Sequence, residues 1–160
     1  QFKQKTVQKS YLACVWGIPL AKKGLIQTNI ACSSQDRRTR MNYPYQSTAG
    51  KPSVTEYRVV EQTLKIALLH LIPHTGRTHQ LRTHLAYLGH PIIGDKTYGG
   101  MTYPRLSVEE LSGILAIQKR QALHANSLTL NHPLSKEPMT FQASLPLDMQ
   151  TLCMLFSSLS

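Results

Sequence analysis

The chain of 160 residues is long enough for one domain with its own core and short for two. Hydrophobic residues at 41% and charged residues at 16% exclude a disordered chain, and no apolar run reaches the roughly 18 residues of a membrane span. Eighteen Lys and Arg against eight Asp and Glu leave a formal charge of +10, which points to a polyanion partner, nucleic acid first, although excess charge can also serve solubility alone.

Taken in chain order, Thr6 to Trp16 is rich in Val, Tyr and Trp and closes on Gly17-Ile18-Pro19, a strand ending in a turn. Lys3, Lys5 and Lys9 before the apolar stretch from Tyr11 to Ala21 mimic a signal peptide, but Gly17 and Pro19 interrupt the run and no small-residue cleavage site follows. A loop-like basic stretch comes next, with Asp36, Arg37, Arg38 and Arg40 among Ser, Thr and Asn, and Lys51-Pro52 ends it in turn chemistry. Val54 to Val60 and Leu64 to Ile72 read as a hairpin. Thr78 to Leu88 spaces Leu81, Leu85 and Leu88 as one face of a helix, stopped by Gly89 and Pro91. Ser107 with Glu110 is a capping box opening a second helix. Leu123 to Leu130 and Met139 to Leu145 alternate as strands, and Leu147 to Phe156 is a final helix. Hairpins with helices between them predict an α+β fold, a mostly antiparallel mixed sheet with flanking helices.

Three scattered cysteines, Cys14, Cys32 and Cys153, fit a reducing compartment better than a disulfide framework or a zinc site. The densest polar stretch runs from His74 to His84 at a strand-to-helix junction. On a helix, Thr78, His79 and Arg82 share one face, and the first N–H groups with Arg77 and His79 suit a phosphate oxygen; a solvated amphipathic surface helix is the plainer reading. His74, His79 and His84 at five-residue spacing fan around a helix, so no metal site is expected, and no glycine pattern signals a nucleotide cofactor. Among the eight acids, Asp36, Asp95 and Asp148 read as turn or helix-start residues and none stands out as a nucleophile.

The run Gly76-Arg77-Thr78-His79-Gln80-Leu81-Arg82-Thr83-His84-Leu85-Ala86-Tyr87-Leu88-Gly89-His90-Pro91-Ile92-Ile93-Gly94-Asp95 closely resembles the signature of the RluA-type RNA pseudouridine synthases. Lys9-Ser10-Tyr11-Leu12-Ala13, Asp36-Arg37-Arg38, Gly50 to Tyr57, Leu123-His124-Ala125 and Leu145 to Met149 resemble further blocks of that family in order, so the resemblance covers essentially the whole chain. It implies isomerisation of selected uridines of structured ribosomal or transfer RNA to pseudouridine, without metal or cofactor, after the base is flipped from its stack.

The family's nucleophilic Asp lies in a His-Arg-Leu-Asp stretch that these residues do not contain, so the resemblance implies that residues 1–160 are a partial catalytic domain, without that stretch or the S4-type domain of many members, and inactive alone. Tyr11 matches the tyrosine that lines the uracil pocket. Arg82 matches the arginine that pairs with the nucleophilic Asp, and is expected here to be half-partnered. Arg77, Thr78, His79 and Gln80 are expected to shape the pocket rim and touch the RNA backbone, and Arg37, Arg38, Arg40 and Lys51, with Lys22 and Lys23, to contact RNA phosphates. A monomer in the cytoplasm, bound to RNA and to no membrane, is expected; the rival reading is a non-catalytic RNA-binding module.

Overall fold

In the computed structural model the described residues are 1, 2, 4, 6–100 and 106–158; Lys3 and Lys5, whose charges open the chain, lie outside them. Strand β5 (Ile66–Pro73) is the most apolar segment, buried along most of its length, and a strand buried on both faces belongs in the middle of a sheet. It pairs with β1 (Gln8–Trp16) on one side and with β4 (Lys51–Gln62) on the other. With β2 (Lys23–Cys32), β3 (Arg40–Tyr43), β6 (Leu123–Asn131) and β7 (Pro138–Gln142), the order is β3-β2-β4-β5-β1-β6-β7. All six pairings are antiparallel, so the expected α+β class holds, with a sheet antiparallel throughout rather than mixed.

Two strands fall where the sequence reads as a basic loop. Strands β2 and β3 occupy much of the span between Pro19 and Lys51, and Lys51-Pro52 opens β4 instead of ending a turn. The reason is a diluted polarity: Ile26 and Ile30 face inward, but Thr28 and Asn29 are buried with them and Leu25 points outward. Two isoleucines among buried polar residues and an exposed leucine carry a weak amphipathic signal.

Cross-strand register decides which residues share a face. Tyr11 stands opposite Leu71, and Leu71 opposite Tyr57, so all three project to the same side. Thr55, two residues from Tyr57, lies on that side too, as does Thr28, reached through the Ser53 pair. Helix α1 (Gln80–Tyr87) covers this face with Leu81 and Leu85 buried and Leu88 packed on the core, as their spacing predicts. Helices α2 (Val108–Ile117) and α3 (Leu147–Ser158) pack on one another and add Ile114, Met149 and Leu152 to the core. The predicted capping box is present: the Ser107 hydroxyl accepts from the Glu110 N–H, and Glu110 accepts from the Ser107 N–H.

Helix α1 also buries polar residues, which a simple two-faced helix would not. His84, with no exposed surface, lies between Thr28 and Thr55. The Thr28 hydroxyl donates to Asn42 Oδ1 at 2.8 Å, so it accepts from His84 Nε2–H at 3.0 Å. Thr55 accepts from Gln80 Nε2 at 3.0 Å and therefore donates to His84 Nδ1 at 2.9 Å. The chain of donors thus selects one neutral tautomer.

Burial lowers the His84 pKa from its ordinary 6.5 to about 4. The unfolded chain takes up a proton near pH 6.5 that the native state refuses until about pH 4. Stability is therefore complete above pH 6.5 and falls as pH drops towards 4, by about 3 kcal/mol from this group. Urea unfolding at stepped pH checks this: His84→Gln, which has no proton to take up, is expected to flatten that part of the profile relative to the native chain.

Candidate active site

Tyr11 reaches the site through the unbroken register of β1 on β5, which sets it opposite Leu71; on its other side β6 takes up an extra residue, Asn126, between the Ser10 and Tyr11 pairs. Tyr11 and Lys9 line one side of a pocket of about 260 Å³ between β1 and the start of α1. The other side is made by Thr75, Gly76, Arg77, His79, Gln80 and Arg82. The phenol and the guanidinium, 71 residues apart in sequence, thus face one hollow.

The segment leading into α1 is held by Gln80, which is 4% exposed. Its Oε1 accepts from the Thr75 hydroxyl at 2.8 Å and from the Arg77 N–H at 2.9 Å, and its Nε2 donates to the Val54 carbonyl at 3.0 Å. Thr75 Oγ1 in turn accepts from the Val54 N–H at 2.9 Å. Gln80 therefore braces the rim, with both ends of its amide taken up by protein partners. The helix begins two residues later than the periodicity predicts, because His79 takes a left-handed conformation with φ of 56°. Thr78 and His79 consequently precede the helix and do not share a helical face with Arg82.

Arg82 is not half-partnered. Its Nε donates to Asp95 Oδ2 and its Nη2 to Asp95 Oδ1, both at 2.7 Å, with the Asp95 side chain fully enclosed. Oδ1 also accepts from the N–H groups of Thr97 at 2.9 Å and Tyr98 at 3.1 Å. Burial pushes the Asp95 carboxyl up, but the guanidinium and the two backbone N–H groups outweigh it and hold the pKa below the ordinary carboxylate value. The Tyr98 ring lies 4.9 Å from the Arg82 guanidinium carbon, and its hydroxyl meets His79 Nδ1 at 2.9 Å and accepts from the Arg40 N–H at 2.8 Å. Burial, and then the charges of Arg82 and Arg40, lower the His79 pKa, so the imidazole favours its neutral form near neutral pH.

Asp95 and Tyr98 escape a sequence reading that treats Asp95 as an ordinary turn acid. The turn signal is genuine, since an Asp side chain accepting N–H groups two and three residues on is an Asx motif. What it omits is the cation that turn meets. Gly94, at φ of 75°, makes the turn possible, because a side chain there would run into the Arg120 carbonyl.

A second hollow adjoins the first and shares Gly76 and Arg77 with it; Arg40, Lys51 and Thr78 also line it. The other expected phosphate contacts lie elsewhere. Arg37 and Arg38 line neither hollow, and the exposed Arg38 is bound to Asp36 at 3.2 Å. Lys23 pairs with Arg58 at the end of β2 opposite to Ile30 and Lys51, roughly 25 Å away at strand rise, and Lys22 donates to Gln62 at 2.8 Å. His74, His79 and His84 are separated onto Glu56, Tyr98 and the two threonines, and among the described residues no group of three His, Cys, Asp or Glu could hold a metal.

Against known proteins, the profile of the RNA pseudouridylate synthase family matches residues 1–87, which include Tyr11 and Arg82. An "Uncharacterized RNA pseudouridine synthase" of Chlorobaculum parvum is 44% identical over 94% of this chain and 47% of its own length. The "Ribosomal large subunit pseudouridine synthase D" of Pasteurella multocida is 40% identical over 91% of this chain and 44% of its own. The "Dual-specificity RNA pseudouridine synthase RluA" of Escherichia coli is 39% identical over 89% of this chain and 59% of its own. The chain thus spans about half the length of these curated relatives. The solved structure "Human RNA Pseudouridylate Synthase Domain Containing 1" superposes with a TM-score of 0.72 at 28% identity, covering 98% of this chain and 68% of that one. With tyrosine and arginine at one hollow and the family profile spanning both, this chain belongs to the RNA pseudouridylate synthase family.

Proposed function

We propose that residues 1–160 form the tyrosine- and arginine-bearing part of a catalytic domain that isomerises selected uridines of structured ribosomal or transfer RNA. The observation that carries this is the shared hollow of Tyr11 and Arg82, which continues into a cationic hollow through Arg77. A uridine flipped out of its stack enters the hollow beside Tyr11, while Arg40, Lys51 and Arg77 meet the flanking phosphates. The reaction breaks the N1–C1′ glycosidic bond, turns the base and forms the C5–C1′ bond. One proton leaves C5 and one arrives at N1, so the balance needs neither oxidant nor cofactor. Tyr11 stacks on the base and its hydroxyl assists removal of the C5 proton. Arg82 stabilises the attacking carboxylate in its ionised form.

All eight acids are among the described residues, and none lines the hollow. Asp95, the nearest to Arg82, is fully enclosed and already committed to it. The attacking carboxylate is therefore contributed by residues outside these 160, and the chain alone is a binder. That same observation favours the second reading, an RNA-binding module without chemistry.

Two measurements separate the readings. Incubating the 160-residue chain with uridine-bearing ribosomal and transfer RNA is expected to give binding and no pseudouridine, whereas robust product from it alone would overturn the assignment of the nucleophile. The polypeptide as encoded by the gene is expected to form pseudouridine, with Tyr11→Phe lowering kcat by at least ~100-fold, as loss of proton transfer does; binding with no product defines the module. The salt dependence of RNA affinity tests the cationic hollow. Replacing both Arg40 and Lys51 by Ala is expected to reduce the log–log salt slope by about 1.4 on single-stranded RNA, and Arg38→Ala, already paired with Asp36, by much less.

A further inference from the structure

We propose that Asp95 is the positioning residue of Arg82. It holds the Nε and Nη2 edge of the guanidinium so that the Nη1 edge is presented, already oriented, to the Tyr11 hollow. The inference rests on the reading of Arg82 under Proposed function.

The geometry is that of a fixed fork. Asp95 takes the Nε and Nη2 hydrogens on two different oxygens at equal distances of 2.7 Å, an arrangement that sets the plane of the guanidinium. The carboxylate is itself immobilised by the Thr97 and Tyr98 N–H groups, and the Asp95 backbone is tied at both ends, its N–H donating to the Ile92 carbonyl and its carbonyl accepting from the Gly99 N–H. The Arg82 guanidinium carbon lies over the Tyr98 ring, 4.9 Å from its centroid, and that ring is anchored through its hydroxyl to His79 and to the backbone of Arg40. In-plane rotation is thus restrained by Asp95, and an anchored ring bounds the guanidinium on one side.

Nη1 has no protein acceptor among the described residues. Arg82 lines the hollow, and Asp95 does not. The group available in the hollow is therefore a pair of charged N–H donors whose direction was set before any ligand arrived. A donor aimed in advance costs no reorganisation when an anion appears beside it. A buried ion pair is also a poor way to gain stability alone, because desolvation of both charges consumes most of their attraction. The pair is better explained by the orientation it imposes.

The test uses the polypeptide as encoded, with single-turnover pseudouridine formation at saturating RNA. Asp95→Asn is expected to lower kcat by about 100-fold, the scale of a small misplacement of a catalytic group, with KM nearly unchanged. In an Arg82→Ala background the same change is expected to cost less than about three-fold further, since Asp95 acts through Arg82. Losses that multiply in the double variant, or a raised KM with intact kcat, would overturn the positioning role in favour of a general structural one.

A second measurement needs neither activity nor a variant. In the 15N–1H spectrum, the Arg82 Nε–H of the unmodified polypeptide is expected to exchange slowly, in contrast to that of the exposed Arg38. Equal, fast exchange at both would refute the clamp even if the enzyme is active. If the unmodified polypeptide forms no pseudouridine, the catalytic reading fails and the exchange measurement still decides whether Asp95 holds Arg82.

Discussion

A helix of eight residues does not stand by itself; its place is set by what it lies on. In this chain α1 is seated by a seam of directional hydrogen bonds as much as by Leu81 and Leu85. Thr28 and Thr55 grip the two ring nitrogens of His84, and Gln80 reaches Thr55 from the same helix. Apolar packing alone would tolerate a rotation or slide of the helix, whereas donors and acceptors that must match one another do not. Because Arg82 lies between Gln80 and His84, its direction is inherited from that seam.

The seam explains the polarity of the strands beneath it. Ser53 and Thr55 of β4 and Thr28 of β2 are fully buried where valines would be ordinary. Thr28 and Thr55 are inward because α1 supplies their partners, while Ser53 donates to the Lys51 carbonyl of its own strand. Fold and site therefore use the same residues, and the rim of the pocket is braced by the side chain, Gln80, that helps to seat the helix.

Charge is sorted with similar economy. Asp36, Asp95, Glu110 and Asp148 each neutralise one cation, Arg38, Arg82, Lys65 and Arg120. Among the described residues no acid pairs with Arg40, Lys51 or Arg77, and these three line the hollow beside the pocket. Part of the excess positive charge is thus left unpaired beside the tyrosine pocket, where it can attract a polyanion.

By itself the sequence determined those elements whose apolar residues are the buried ones, such as the continuously apolar β1 and β5 and the leucine face of α1, and the capped start of α2, where Ser107 and Glu110 are close along the chain. It also carried the ordered motifs that place the chain in its family. Only the tertiary structure decided that β2 and β3 are strands, since the buried Thr28 and Asn29 of β2 have partners on other segments and Asn42 of β3 is one of them. It alone brought Tyr11 to the same hollow as Arg82, through the register of β1 on β5 and β5 on β4. And it alone matched Arg82 with Asp95, because an ion pair between a helix and a later turn leaves no trace in local periodicity: its energy depends on a distance in space that neither segment specifies.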